Sequence, residues 1–478
     1  MEKREDFVVF GTAFFSFCIY TKSDKMEVIT MDNQSIPVMI KNDLYDAIDR
    51  SEKQYINEQK ENALLLLENK SANYTRTRIL DFATMAKLLI SMQGGCIDKE
   101  LHEAGLKVSA SAFVQRRKQL SWLDFEHIFE SFSPKKEELK TYKGYRVLAV
   151  DGSALNIARN PKSESFMINK NAPKGYNQLH INPLYDVMNK LYVSCVIQPQ
   201  PKVDEIGALG FMLSWYGFDE KTLIVADRGY ESYNTFAHFM ERGANAKFLI
   251  RVKQNKSAMR EIAKLPMTEL DTNVSFTITT TQTKKDKENG YIFVQKRKNA
   301  KRAYSAKTKN AQWEYKSPYP MTFRVVRFKL STGEYETLAT NLPKSFTLQE
   351  IKELYHARWG IETAFRELKY SIGLINLHGK SDEFAKQEIF SSMIMSNFCS
   401  RIVNRCVLEK KETNVHEYRV NMKMAIYLCK KFLRTNDADD GQLMEDIARY
   451  TEAVRPDRAD ERNIKAKSFV GFVYRVAA

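Results

Sequence analysis

Tyr355, Arg358, Glu362 and Lys369 set a phenol, two cations and a carboxylate at intervals of three, four and seven residues in a chain of 478. On one uninterrupted helix turning about 100° per residue, these side chains and Arg366 fall in a narrow polar stripe. Beside it runs an apolar stripe of Ile351, Leu354, Ile361, Phe365, Leu368 and Ile372. One edge of such a helix is buried and the other is equipped for chemistry, with cations for phosphate and an acid for a metal ion. Arg358–Glu362 and Glu362–Arg366 are also i,i+4 pairs of the kind that line solvated helices, so the stripe alone leaves both readings open.

Two upstream acids bear on that choice. The apolar run Val147 to Val150 ends in Asp151-Gly152, and Leu223 to Ala226 ends in Asp227-Arg228-Gly229-Tyr230. Each reads as a buried strand delivering an aspartate at its C-terminal end, with glycine supplying the turn. If Asp151, Asp227 and Glu362 converge, each pair of carboxylates costs about 4 kcal/mol at an effective dielectric near 20. Protons or divalent cations must neutralise such a cluster, and hard oxygen ligands favour magnesium or manganese over zinc. A two-metal phosphoryl-transfer site would use it directly.

Asp151, the Asp227-Arg228-Gly229-Tyr230 block and the full Tyr355, Arg358, Glu362, Lys369 spacing resemble the DDE transposases of bacterial insertion sequences, in the group named for that Tyr-Arg-Glu-Lys signature. The resemblance runs from about Tyr145 to Phe398. It implies an α/β fold: an RNase H-like mixed five-stranded sheet with flanking helices, interrupted by a mostly β insertion and joined to N-terminal and C-terminal helical regions. It also implies Asp151, Asp227 and Glu362 as catalytic acids holding two Mg2+ ions per active site, with Mn2+ as a substitute. Cleavage at element ends and strand transfer by cut-and-paste would follow, and a hairpin at the element's end is a common intermediate in such families.

The implied partners are double-stranded DNA, as terminal inverted repeats and as target, and a second copy of the chain in a synaptic complex. The implied setting is a bacterial cytoplasm, at the nucleoid. Arg358 and Lys369 would meet phosphate oxygens and Tyr355 would add a hydroxyl donor, with Arg228, Tyr230 and Arg366 among the further DNA contacts. A nuclease or resolvase without strand transfer, or a non-catalytic DNA-binding descendant, would share many of these features.

A formal net charge of +15 points to a polyanionic partner, of which nucleic acid is the simplest. The six cysteines lack Cys-x-x-Cys spacing, which argues against a zinc site and for a reducing compartment. Cys399 and Cys406 lie on an apolar helical stretch and read as core. The apolar run Phe7 to Tyr20 is too short to span a bilayer as a helix, and no membrane association is expected. Residues 1–25 read as an upstream extension, with translation starting at Met26.

Residues 26–142 are expected to form a helical DNA-binding domain. Within it, Asp98 to Gly105 and Ser109 to Leu120 resemble a helix-turn-helix, with Gln115, Arg116, Arg117 and Lys118 on the second helix. The same segment also fits an ordinary helical hairpin. Residues 143–254 and 345–410 are expected to be the two parts of the catalytic core, 255–344 a β-rich insertion, and 411–478 a C-terminal helical region with a basic tail. The basic stretch Lys296 to Lys309 is open between a solvated loop and a DNA-backbone contact. Trp313 or Tyr315 would be the aromatic that stacks on a flipped base, as related enzymes do, although an aromatic in a β insertion is ordinarily core. Thr347-Leu348-Gln349-Glu350 fits a capping box that starts the signature helix ahead of Tyr355.

Overall fold

The computed structural model describes residues 36–65, 74, 78–170, 172–215, 221–254, 259–294, 313–330, 332–408, 416–435 and 440–454. The expected upstream extension, the basic stretch Lys296 to Lys309 and the tail beyond residue 454 lie outside these. Along the chain come α1 (Ile36–Leu65), α2 (Phe82–Ser91), α3 (Ile97–Glu103), α4 (Ala110–Arg117) and α5 (Trp122–Ser131). Next are β1 (Arg146–Val150), β2 (Ser153–Ile157), β3 (Phe166–Asn169), β4 (Ala172–Asp186), β5 (Leu191–Pro199), α6 (Glu205–Trp215), β6 (Thr222–Ala226), α7 (Tyr233–Glu241) and β7 (Ala246–Arg251). Then follow α8 (Arg260–Ala263), β8 (Leu270–Thr279), α9 (Lys284–Glu288), β9 (Ile292–Phe293), β10 (Tyr319–Lys329) and β11 (Tyr335–Thr340). The last are α10 (Leu348–Ala357), α11 (Gly360–Arg366), α12 (Asp382–Val403), β12 (Glu417–Val420), α13 (Met422–Arg434), α14 (Asp440–Arg449) and β13 (Thr451–Val454).

The chain divides into two units, one of which comprises Lys136–Ala154 and Leu179–Ala364. Its strands run in the order β5-β4-β1-β6-β7, with two antiparallel pairings followed by two parallel ones. This is the expected RNase H-like mixed sheet. β1 and β6 are buried along their whole length, as uninterrupted apolar runs require of central strands covered on both faces. Their side chains alternate between two cores. Leu148, Val150, Ile224 and Ala226 face Phe236 and Phe248 on one side, while Val147, Leu223 and Val225 face Ile351, Leu354 and Tyr355 on the other. The insertion is mostly β and continues the same sheet: β7 pairs with β11, β11 with β10, and β10 with β8, all antiparallel.

The signature segment departs from the expected uninterrupted helix. α10 opens on the capping box, in which Thr347 Oγ1 accepts from the Glu350 amide and Glu350 Oε2 accepts from the Thr347 amide. It stops at Ala357, and the chain tightens into i→i−3 bonds from Arg358 to Tyr355, Trp359 to His356, Ile361 to Arg358 and Glu362 to Trp359. α11 then begins at Gly360. With three residues per turn, positions three apart eclipse, so Tyr355 and Arg358 share one side and Trp359 and Glu362 another.

The other unit joins the residues up to Lys135, Leu155–Gln178 and those from Phe365 on. The helices before the sheet and those after it therefore belong together rather than to separate linear domains. α12 is its axis, packed by α1, α2, α5 and α13, with Ile389, Phe390, Met393, Ile394, Phe398 and Ile402 fully buried. α3 and α4 are the two helices expected around Gly105, whose φ of +69° suits glycine in the turn, and Ser109 Oγ caps α4 through the Ala112 amide. In the same unit Glu367–Ile372 forms a π-helical turn that ends at Gly373, φ +98°. Among the described residues no helix is long and apolar enough to cross a membrane.

Candidate active site

β1 and β6 are parallel neighbours in the register Val150↔Ala226. The next residue on each strand is therefore an aspartate. Asp151 and Asp227 stand side by side at the C-terminal edge of the sheet, with their backbones one strand spacing, about 5 Å, apart. Both chains turn locally: Asp151 Oδ1 accepts from the Gly152 amide at 2.9 Å, and Asp227 Oδ1 from the Arg228 amide at 2.6 Å. Burial pushes the Asp151 carboxyl above the usual range; the Gly152 amide and Arg358 oppose this, and Glu205 and Asp227 add to it.

Arg358 ties the signature segment to this edge. Its guanidinium lies 3.8 Å from Asp151 Oδ2 and 3.7 Å from Glu362 Oε1, and the residue is only 4% exposed. Trp359 covers it, with the guanidinium 4.8 Å from the ring centroid. Glu362 and Asp151 thus flank one buried cation. The tight turn before α11 makes this possible by bringing Arg358 inward. Among the described residues no group of three or more aspartate, glutamate, histidine or cysteine side chains is arranged to hold a metal ion. Asp151 and Asp227 are neighbours, and the Arg358 guanidinium stands between Asp151 and Glu362.

Tyr355 is buried, and its hydroxyl has no hydrogen-bond partner. Burial pushes the phenol up to about 12, with Glu336 and Asp227 adding and Arg358 opposing. Tyr230 is likewise buried with an unpartnered hydroxyl; burial raises its phenol well above the usual range, Glu205, Asp151 and Asp227 add to this and Arg358 opposes it. Arg228 is exposed. Lys369 is half-buried and Arg366 exposed, and both belong to the other unit.

Sequence reasoning missed four residues at this edge. Glu205, the first residue of α6, has its carboxylate against Gly152 and accepts from His180 Nε2 at 3.0 Å. Glu336 on β11 pairs with Arg251 at the end of β7, 3.3 Å apart, close enough to Tyr355 to bear on its ionisation. An acid in the first turn of a helix is unremarkable in a sequence, because it suits the helix dipole. Nothing local distinguishes Glu205 from such an acid, and the only hint is that glycine follows Asp151.

Two expected DNA contacts are corrected. Arg117 is 1% exposed and donates to Glu388 Oε1, Gln387 Oε1 and the Phe384 carbonyl, so it faces the interior of its unit rather than a groove of DNA. Trp313 is 1% exposed, packed edge-on against Tyr315 and Tyr319 within the sheet's core, and cannot stack on a base from there. Its large apolar area is worth more buried. Arg116 lies over the Tyr74 ring at 3.5 Å and donates to the Leu80 carbonyl, while Lys118 is exposed.

The family model of the transposase DDE domain matches residues 142–398, more than half of the chain. No curated protein matches it. Among solved structures, the chain is similar to the piggyBac transposase in a synaptic complex with hairpin DNA studied by cryo-EM, at 12% identity over 90% of this chain and 88% of that one, with a TM-score of 0.43. With the match to the family spanning both strand-end aspartates and the whole signature segment, the chain belongs to the transposase DDE domain family.

Proposed function

We propose that this transposase cuts DNA at the terminal inverted repeats of its element and joins the freed 3′ ends to target DNA by cut-and-paste, with Asp151, Asp227 and Glu362 as the catalytic acids. The observation that carries this reading is the in-register parallel pairing of β1 and β6, which sets two aspartates side by side, together with one buried arginine that reaches both Asp151 and Glu362. The donors at this edge are all oxygens, which fits a hard divalent cation better than zinc. Two magnesium ions, or manganese in their place, would be held by Asp151, Asp227 and Glu362, and would supply activation of the attacking oxygen and stabilisation of the leaving one.

The chain's own residues bind and orient. Arg358 balances Asp151 and Glu362, and on engaging DNA turns its planar fork to a phosphate oxygen beside the cut. Tyr355 offers its unpartnered hydroxyl to the same strand. Arg228 and Lys118, both exposed, serve the backbone at longer range. The roles of Lys369 and Arg366 rest on the signature spacing alone. Two copies of the chain act together on paired element ends.

Glu362→Ala is expected to abolish strand cleavage of a terminal-repeat duplex while leaving its binding in a gel-shift assay largely intact. Magnesium-dependent nicking by that variant would overturn the assignment. Supplied with pre-cleaved 3′-hydroxyl ends, the parent protein is expected to produce joined DNA. Cleavage without any joining would reduce the enzyme to a nuclease.

A further inference from the structure

The glycines that follow the two strand-end aspartates have a neighbour in common. A Cβ on Gly152 would overlap both Glu205 Oε1 and His180 Nε2, and one on Gly229 would lie 3.8 Å from Glu205 Oε2. The Glu205 carboxylate therefore sits in a notch between the two loops, with one oxygen over each. At Gly152 a larger residue would crowd it out, whereas the approach to Gly229 is an ordinary contact. α6 holds the acid there: Asp204 Oδ1 accepts from the Gly207 amide at 2.9 Å, which fixes the first turn.

His180, on β4 and 8% exposed, aims the carboxylate. A carboxylate only accepts, so the imidazole Nε2 must donate to Glu205 Oε1 across the 3.0 Å between them. A second observation marks the notch as built for a ligand. Tyr230, 1% exposed, carries a hydroxyl without a hydrogen-bond partner and directly follows Gly229, whose Cβ position lies 3.8 Å from Glu205 Oε2. A buried group of this kind is ordinarily satisfied. Glu205 at the loops after Asp151 and Asp227, with the phenol, offers only oxygen donors, and Arg358 is the cation 3.8 Å from Asp151.

We propose that Glu205 is a fourth carboxylate of the active site, an oxygen donor to the divalent ion, and that His180 is its positioning residue. This rests on the reading that Asp151 and Asp227 hold that ion. The Glu205–His180 pair has the form of a ligand and its orienting partner, the arrangement by which proteins fix a donor's direction.

The test is Mn2+ binding to the full-length chain, followed by electron paramagnetic resonance of the free ion, with circular dichroism melts confirming that each variant folds. Glu205→Gln is expected to weaken Mn2+ about 10–100-fold and His180→Ala about tenfold, with His180→Gln recovering much of that loss because its amide can still donate. Asp151→Asn is the reference. If Asp151→Asn weakens binding and Glu205→Gln does not, the fourth-carboxylate proposal is overturned and the triad stands. If neither weakens binding, or the parent binds no Mn2+, the metal reading itself fails and takes this proposal with it. Should Glu205→Gln not fold, Gly152→Ala, which displaces the carboxylate without deleting it, is expected to show the same loss, and unchanged affinity there would overturn the proposal.

Discussion

Tyr355 holds a hydroxyl in the core between the sheet and α10 with nothing to bond to. Leaving such a group unpaired costs a folded protein about 1–3 kcal/mol, so a chain selected for stability alone would carry phenylalanine there. Tyr355→Phe is accordingly expected to preserve or raise the melting temperature while lowering strand cleavage about tenfold, in the range of one lost donor hydrogen bond. Equal cleavage by the variant and the parent would assign the phenol to packing. Asp151 and Asp227 were legible one residue at a time because each ends an apolar run and precedes a turn. Glu205 was not, since it reaches the site through the fold of α6 against two loops. Arg117 looked like a reader of DNA for the converse reason: its partner Glu388 lies hundreds of positions away, and no local pattern announces a buried ion pair.

At the scale of elements, period and composition placed β1, β6, the strands of the insertion and the capping box of α10. The break between α10 and α11 was hidden, because Tyr355 to Phe365 contains no proline and a single glycine, Gly360, which a helix tolerates at modest cost. Uniform rotation of 100° per residue was the assumption that failed, and the tight turn is what draws Arg358 toward Asp151. Gly360 is not in a left-handed conformation, and a Cβ there would meet only Val187, at an ordinary 3.6 Å from Cγ1 and 3.7 Å from Cβ. Gly360→Ala is therefore expected to stabilise the protein by about 0.5–1 kcal/mol in chemical denaturation, through the lower entropy of the unfolded chain and better helix propensity. Stabilisation accompanied by slower cleavage would show that the break, more than the glycine, matters for setting Arg358. A loss of stability would show instead that this turn needs glycine's freedom.

At the scale of the whole molecule, sequence order proved a poor guide to the compact units, because helices from both ends of the chain share one of them. What fastens them is polar and buried, which hydrophobic periodicity does not register. Glu388 on α12 accepts from Arg117 Nη1 at 2.9 Å, from the His378 amide at 2.8 Å and from the Gly379 amide at 2.9 Å. Burial pushes its carboxyl up, but Arg117 and His378 outweigh this and hold it at about 2, against an ordinary value of 4.5. A carboxyl depressed by folding contributes stability that is whole above pH 4.5 and is lost as pH falls through 2. At about 1.4 kcal/mol per unit that linkage amounts to about 3 kcal/mol. Unfolding titrations from pH 6 to pH 2 are expected to show this loss in the parent. In Glu388→Gln the loss over that interval should shrink by about the same amount, while stability at pH 6 falls by about 3–5 kcal/mol because Arg117 is left buried beside a neutral amide. An unchanged acid limb in the variant would mean that other carboxylates set the acid stability of this unit, with Glu100 the next to test: it is fully buried and paired with Arg434, which helps hold its carboxyl below the usual range against the opposing effect of burial.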